Sequence, residues 1–352
     1  MTEQDPKPFP AAELLPWHEA AAAQLKAAWS AKRLSHALLI QGPEGLGQRS
    51  FAAWIARALL CERKQDGVLE SCGACQGCTL VDAGTHPDVA WTVPEEGKQQ
   101  ISVDQVREMC ERLSKTSFRQ GYKVAIVDPA HQMTPGAANS LLKTLEEPAA
   151  QSLIVLLTSR PSALLPTVRS RCQKLAVKRP STADAHAWLE SRTQGTVDPQ
   201  VIEFAGGAPL RALEYAASGQ FQALDEEMRT GLAALLSHRS DVTQIASEWA
   251  DERLPDRLTW LDLWLTSTAR AALGGNADLI TFPRRPVHLP SPLHALNISG
   301  VYSMVDRARA LKAQLGRTAL QRELAVESWL FALLDTLMPS GALSRGPRHS
   351  HA

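Results

Sequence analysis

Between His18 and Val177 short runs of consecutive apolar residues alternate with longer stretches in which apolar and polar positions follow a helical period. HALLIQ, the KVAIV of YKVAIVDPA, and SLIVLLTS are strand-length and almost wholly apolar, and QKLAV closes the series. In HEAAAAQLKAAWSAKRL, SFAAWIARALLC, QISVDQVREMCERL and GAANSLLKTLEEP the apolar residues recur at three- and four-residue intervals. Runs apolar on both faces belong to strands covered on both sides, and strands alternating with helices predict a parallel sheet between two helical layers. The helix of GAANSLLKTLEEP is expected to stop before Pro148, because a proline cannot continue the hydrogen-bond ladder.

From Pro180 the apolar strand runs cease and helical segments follow one another to Met338. The predicted organisation is a sheet domain over 1–178, a small helical domain over 179–219 containing GGAPLRAL, a helical bundle over 220–338, and a disordered tail over 339–352. In the bundle Leu258, Leu261 and Leu265 share one face of a helix, and Leu320, Leu324, Phe331 and Leu334 are expected to do so in another. TFPRRPVHLPSP between these helices reads as a proline-rich loop.

Composition narrows the partners. With 37 basic against 37 acidic side chains the formal net charge is zero, so no bulk electrostatic pull draws the chain to nucleic acid or a membrane surface. MTEQDPKPFP lacks a basic-then-apolar leader pattern, and no apolar run is longer than a strand, so a cytoplasmic location is expected with no membrane association. In a reducing compartment the 6 cysteines are not expected to form structural disulfides.

QGPEGLGQRSFAAW follows the first strand and opens a helix, the context of a phosphate-binding loop. Gly42 and Gly47 have the spacing of G-x-x-x-x-G-K-[ST], with Gly45 between them, but Gln48 occupies the lysine position and Arg49 the hydroxyl position. The cation for the terminal phosphates and the magnesium ligand are both absent, and Ser50 comes one residue too late. KVAIVDPAHQM has the form of a Walker B strand ending in Asp128, a residue that alone could equally be a cap or turn. The next residue, where a hydrolase carries a water-activating glutamate, is Pro129. Two separate catalytic positions are therefore missing from one nucleotide-type scaffold, and no bound ATP is expected. An active ATPase in which Arg49 replaces the lysine is the competing reading.

Cys61, Cys72, Cys75 and Cys78 form C-x10-C-x2-C-x2-C within an insert over 61–78. Four thiolates so spaced suit a closed tetrahedral Zn²⁺ site of structural type; free or redox-active thiols are the alternative, and a zinc-dependent nucleic-acid module is a further functional reading. Cys110 and Cys172 read as buried small hydrophobes. Arg107, Arg112, Lys115, Arg119 and Lys123 could follow a phosphate backbone, but Glu108 and Glu111 interleave with them and a solvated face is the simpler reading. Arg211 begins a helix, where packing or an ion pair is expected. Arg169 and Arg171 in RSRC precede the last strand; arginine suits bidentate phosphate contact, though such a pair is ordinarily a solvated one.

RLSHALLIQGPEGLG, the four cysteines, NSLLKTLEEP and TVRSRC, in this order and spacing, resemble the delta-prime family of bacterial DNA polymerase III clamp-loader subunits over about Leu34 to Val177. The gamma and tau ATPase subunits share the cysteine module and LLKTLEEP but differ in retaining the loop lysine and threonine and the acidic Walker B pair. The resemblance implies an α/β AAA+ P-loop-type domain, a small helical lid and an all-α C-terminal collar joining five subunits. It implies a subunit that does not hydrolyse ATP and that places Arg171, presented by Ser170, in the ATP site of an adjacent gamma or tau subunit. The delta subunit, the sliding clamp and primed DNA are the further partners it implies, the last two through the complex, in support of a DNA-directed DNA polymerase.

Overall fold

The computed structural model of the chain describes residues 10–118, 121–193, 197–276, 280–283, 287–289, 292–315 and 321–338. Arg119, Leu320 and the tail over 339–352 lie outside the described residues. Two compact units divide the chain, Met1–Ala185 with Ala208–Arg211, and His186–Gly207 with Ala212–Ala352.

The first unit runs α1 (Glu19–Ser30), β1 (Ala37–Gln41), α2 (Gln48–Leu60), α3 (Gln76–Asp82), β2 (Val89–Thr92), α4 (Val103–Ser114), β3 (Lys123–Val127), α5 (Pro135–Glu146), β4 (Ser152–Thr158), α6 (Pro166–Arg171) and β5 (Gln173–Ala176). The strands form one sheet in the order β2-β3-β4-β1-β5, and every pairing is parallel. Ile40 stands opposite Leu157 on one side and Leu175 on the other, while Ile126 stands opposite Val155.

Because strand side chains alternate between faces, the apolar runs supply two cores at once. Leu38, Ile40, Val124, Ile126, Val155 and Leu157 pack with Leu25 of α1 and Phe51, Ile55 and Leu59 of α2. Leu39, Ala125, Val127, Ile154 and Leu156 pack on the opposite side with Val106 and Met109 of α4, Leu141 and Leu145 of α5, and Val168 of α6. The glycine loop follows β1 and Asp128 follows β3, so the AAA+-type α/β arrangement expected of this region is the one observed.

Local chemistry sets the helix ends. Ser102 caps α4, its hydroxyl accepting from the Gln105 N–H at 3.3 Å while Gln105 Oε1 accepts from the Ser102 N–H at 2.9 Å. At the other end of α4, Lys123 is buried and its ammonium donates to the carbonyls of Leu113 and Lys115. Lys123 is therefore a helix cap rather than part of a basic surface. Arg107 pairs with Asp104 at 3.4 Å, and Arg112 Nη2 donates to the Val89 carbonyl at 3.5 Å. Thr134 caps α5, which begins at Pro135 and ends at Glu146, two residues before Pro148.

In the second unit, no strand occurs among the described residues. It includes α8 (Gln200–Phe204), α10 (Gln220–Leu236), α11 (Val242–Trp249), α12 (Leu254–Gly274), α13 (Ile298–Gln314) and α14 (Arg322–Leu337); α7 (Thr182–Arg192) and α9 (Pro209–Ser218) run across the unit boundaries. Arg257 of α12 is 3% exposed, its guanidinium held by Glu227 at 2.7 Å, Asp251 at 2.5 Å and the Trp249 carbonyl at 2.9 Å. Leu258, Leu261 and Leu265 are buried, as their spacing predicts. In α14 the buried stripe is instead Val326, Trp329, Leu330, Leu333 and Leu337, and Leu324 and Phe331 are exposed. Both stripes have helical period, and the one carrying Trp329, whose indole donates to the Met304 carbonyl at 3.3 Å, is the one this unit packs.

Candidate functional site

The loop between β1 and α2 turns on two glycines in the left-handed region. Gly47 has φ +75° and Gly45 φ +77°, conformations that side-chain-bearing residues rarely adopt. A Cβ on Gly42 would stand 2.6 Å from the Val177 carbonyl oxygen, so that position tolerates only glycine for a different reason, the close approach of β5's continuation.

The ligand positions of this loop are taken up by the chain itself. Gln48 turns back, its amide donating to the carbonyls of Gly42, at 2.8 Å, and Pro43. Arg49 Nε lies 2.8 Å from Asp128 Oδ2, across from the end of β3, and its guanidinium sits 5.6 Å from the Trp91 ring centroid. The Nε–H makes no directed hydrogen bond, so the attraction is coulombic. Glu44 adds a carboxylate, which accepts from the Ser159 hydroxyl at 2.9 Å.

Apolar and aromatic groups cover the same loop. Leu46 is buried, and its carbonyl accepts from Trp17 Nε1 at 2.8 Å and His18 Nε2 at 2.7 Å. The Leu15 N–H donates to His18 Nδ1 at 3.2 Å, which fixes the neutral tautomer with its proton on Nε2. Burial lowers the His18 pKa below the ordinary imidazole value. A Cβ on Gly47 would meet Leu15 Cδ1 at 2.5 Å and Leu210 Cδ1 at 3.1 Å, and one on Gly45 would meet Arg211 Cβ at 2.9 Å. Arg211 is thus packed against the glycine loop, in line with the packing role its position suggests.

Arg171 is the last residue of α6. Its Nη2 lies 2.6 Å from Glu146 Oε1, the end of α5, and its Nη1 donates to the Thr167 carbonyl at 3.0 Å. Ser170 Oγ donates to the same carbonyl at 3.0 Å and accepts weakly from Arg171 at 3.4 Å. The Arg171 side chain is 37% exposed, whereas Cys172 beside it is 7% exposed in the core, where burial pushes its thiol up to about 11. Cys172 is the small buried hydrophobe its sequence context suggests. Cys110 is only partly buried, at the margin of the α4–α5 core.

The four cysteines converge. Their Sγ atoms all lie within 4.8 Å of one another, with Cys75 Sγ 3.4 Å from Cys78 Sγ and 3.9 Å from Cys61 Sγ. A tetrahedron of sulfurs about 2.3 Å from a Zn²⁺ ion has edges of about 3.8 Å, so the cluster fits that donor set. Backbone N–H groups point at the sulfurs: Cys72 to Cys61 Sγ and Cys75 to Cys72 Sγ at 3.3 Å, and Glu62 to Cys75 Sγ at 3.4 Å. Donation from the backbone of Ala74, and then of Cys75, brings the Cys72 thiol down to about 6, which favours the thiolate a metal requires. Burial acts in the opposite sense on Cys78. Cys75 also caps α3, a helix not anticipated inside the insert.

The family described as "DNA polymerase III, delta subunit" matches residues 17–181, and "DNA polymerase III, delta subunit, C terminal" matches 222–335. The DNA polymerase III subunit delta' of Escherichia coli K12 is 33% identical over 337 residues, covering 93% of this chain and 97% of that protein. The delta' subunit of Pseudomonas aeruginosa is 34% identical over 266 residues, covering 74% and 79%. The chain belongs to the delta-prime family of DNA polymerase III subunits. The tau subunit of Bacillus subtilis is 33% identical over 217 residues, which cover 61% of this chain and 36% of tau. Among solved structures, a gamma subunit-related protein of DNA polymerase III from Thermotoga maritima covers 89% of this chain and 98% of its own, at 17% identity and a TM-score of 0.44. Membership of the delta-prime family spans both units, since the matched residues fall in each. No helix among the described residues is long and apolar enough to cross a membrane.

Proposed function

We propose that this delta-prime chain is the non-hydrolysing member of a clamp-loader ring. It assembles with gamma or tau ATPase subunits and a delta subunit, donates Arg171 to the ATP site of a neighbour, and supports placement of the sliding clamp on primed DNA in the cytoplasm. The small helical region over 179–219 serves as lid and the helices over 220–338 as the collar that joins the ring. Cys61, Cys72, Cys75 and Cys78 hold a structural zinc ion, whose role is to fold the insert; Zn²⁺ there supplies no open coordination position for chemistry. DNA contact is made by the complex, in keeping with the zero net charge of this subunit.

The observation that carries the reading is that the phosphate- and metal-ligand positions of the nucleotide-type scaffold hold residues engaged with the chain itself. Gln48 and Arg49 are turned onto the chain's own carbonyls and onto Asp128, and Pro129 stands where an activating carboxylate would be needed. Arg171 is held at the end of α6 by Glu146 and the Thr167 carbonyl, its side chain about as exposed as that of Arg49. An arginine placed in trans neutralises charge developing on a transferred phosphoryl group, a contribution of about 10³ to 10⁵ in rate where it has been measured in related systems.

The test is equilibrium binding of labelled ATP with Mg²⁺ to the purified chain, together with a turnover assay. Absence of binding at millimolar nucleotide is the expected result. Tight binding with turnover would make the chain an ATPase with a divergent loop and overturn the reading.

A further inference from the structure

Arg171 is not a free surface arginine. Its Nη2 is tied to Glu146 at 2.6 Å, and Nη1 is tied to its own helix at the Thr167 carbonyl. Both tethers start from well-anchored backbone. Leu145, next to Glu146, is buried, and its carbonyl is hydrogen-bonded to His36 Nε2 at 2.9 Å; Val168 and Cys172 bracket Arg171 and lie in the core. The two contacts therefore define where the guanidinium sits, and they leave part of its donor fork unused. A long side chain without such tethers has to give up its torsional freedom when it engages a phosphate; here much of that ordering precedes the encounter.

We propose that Glu146 is the positioning residue of Arg171: the carboxylate at the end of α5 orients the guanidinium at the end of α6 toward a neighbouring subunit's phosphate while leaving donors free to bind it. The inference rests on the in-trans role of Arg171 proposed above. Glu146 touches no reacting atom. Its charge also fixes an order of preference, because one carboxylate against a guanidinium with spare donors is compatible with an incoming phosphate, while Glu146 without its partner would repel one.

The test uses the reconstituted loader with clamp and primed DNA, in which steady-state ATP turnover is measured for Arg171→Ala, Glu146→Gln, Glu146→Ala and the Glu146→Ala/Arg171→Ala pair. Ring assembly is checked by gel filtration for each. The expected result is a loss on the order of tenfold or more in kcat for Arg171→Ala. A loss of about threefold to tenfold is expected for Glu146→Ala with KM little changed, and a smaller loss for Glu146→Gln, which retains an acceptor. The double variant should be no slower than Arg171→Ala alone, a non-additivity that a general structural defect would not produce. If Arg171→Ala is slow and Glu146→Ala is as fast as the unaltered chain or faster, the positioning role is overturned while the finger stands. Additive losses in the double variant overturn it as well. If Arg171→Ala turns over normally, the in-trans reading itself fails.

Discussion

Arg49 and Asp128 form an ion pair, 2.8 Å between Nε and Oδ2, that joins the start of α2 to the end of β3. In a hydrolytic phosphate loop the hydroxyl at the Arg49 position and the aspartate after the Walker B strand together hold Mg²⁺. Here a fixed guanidinium supplies the positive charge from within the chain, and the Trp91 ring lies against it. The negative charge of Asp128 is thus faced by a guanidinium of the same chain.

That pair predicts a coupling. Arg49→Ala and Asp128→Ala should each destabilise the first unit, and the double substitution should cost less than the sum. With one partner about a third exposed, screening limits the interaction to about 1 kcal/mol. Urea unfolding of the four species measures it; strict additivity would show that the two side chains do not support one another.

Gly47→Ala should be more costly than an ordinary surface change. The new Cβ has φ +75° to accommodate and meets Leu15 and Leu210, so a loss of about 1 to 2 kcal/mol from the backbone alone is expected. A thermal midpoint equal to that of the unaltered chain would mean the loop relaxes freely.

His18 makes stability depend on pH in a definite direction. The unfolded residue titrates near 6.5, and burial holds the folded one lower. As the pH falls through 6.5 the unfolded chain takes up the proton first, so the contribution of His18, fully present above that value, is lost toward lower pH. His18→Gln keeps an N–H donor and does not titrate. Stability measured from about pH 8 to about pH 5 should therefore decline less steeply for His18→Gln than for the unaltered chain; equal slopes would remove the assignment.

Cys75→Ser should release about one equivalent of zinc per chain and loosen the insert between α2 and β2. Elemental analysis reads the first effect and limited proteolysis the second. A starting protein without zinc would end the proposal for the cysteine cluster.

Much of this was legible in the sequence for a simple reason: strands covered on both faces, such as Leu153–Leu157, have no polar face to disguise them. β2 was not foreseen, because VAWT is short and only half-buried. Leu324 and Phe331 looked like core by spacing, yet α14 offers two stripes of helical period, and which one is covered depends on partners elsewhere in the unit. Gln48, Arg49 and Pro129 are visible in the sequence at the positions where a hydrolytic loop and Walker B strand carry a lysine, a hydroxyl and a glutamate. The destination of Arg49 at Asp128, and of Arg171 at Glu146, could not be read there, since charge pairing between distant segments leaves no period or spacing to detect.

Cys172 sets a mechanical limit on its neighbour. Because this residue is sealed in the hydrophobic interior, the backbone carrying Arg171 cannot swing outward without drawing a thiol from the core into water, at a cost of about 1 to 2 kcal/mol. The arginine is mounted on the rigid body of the sheet and not on a mobile arm. In the in-trans role proposed above, the partner surface would have to be delivered to it, and its engagement would report the alignment of whole subunits.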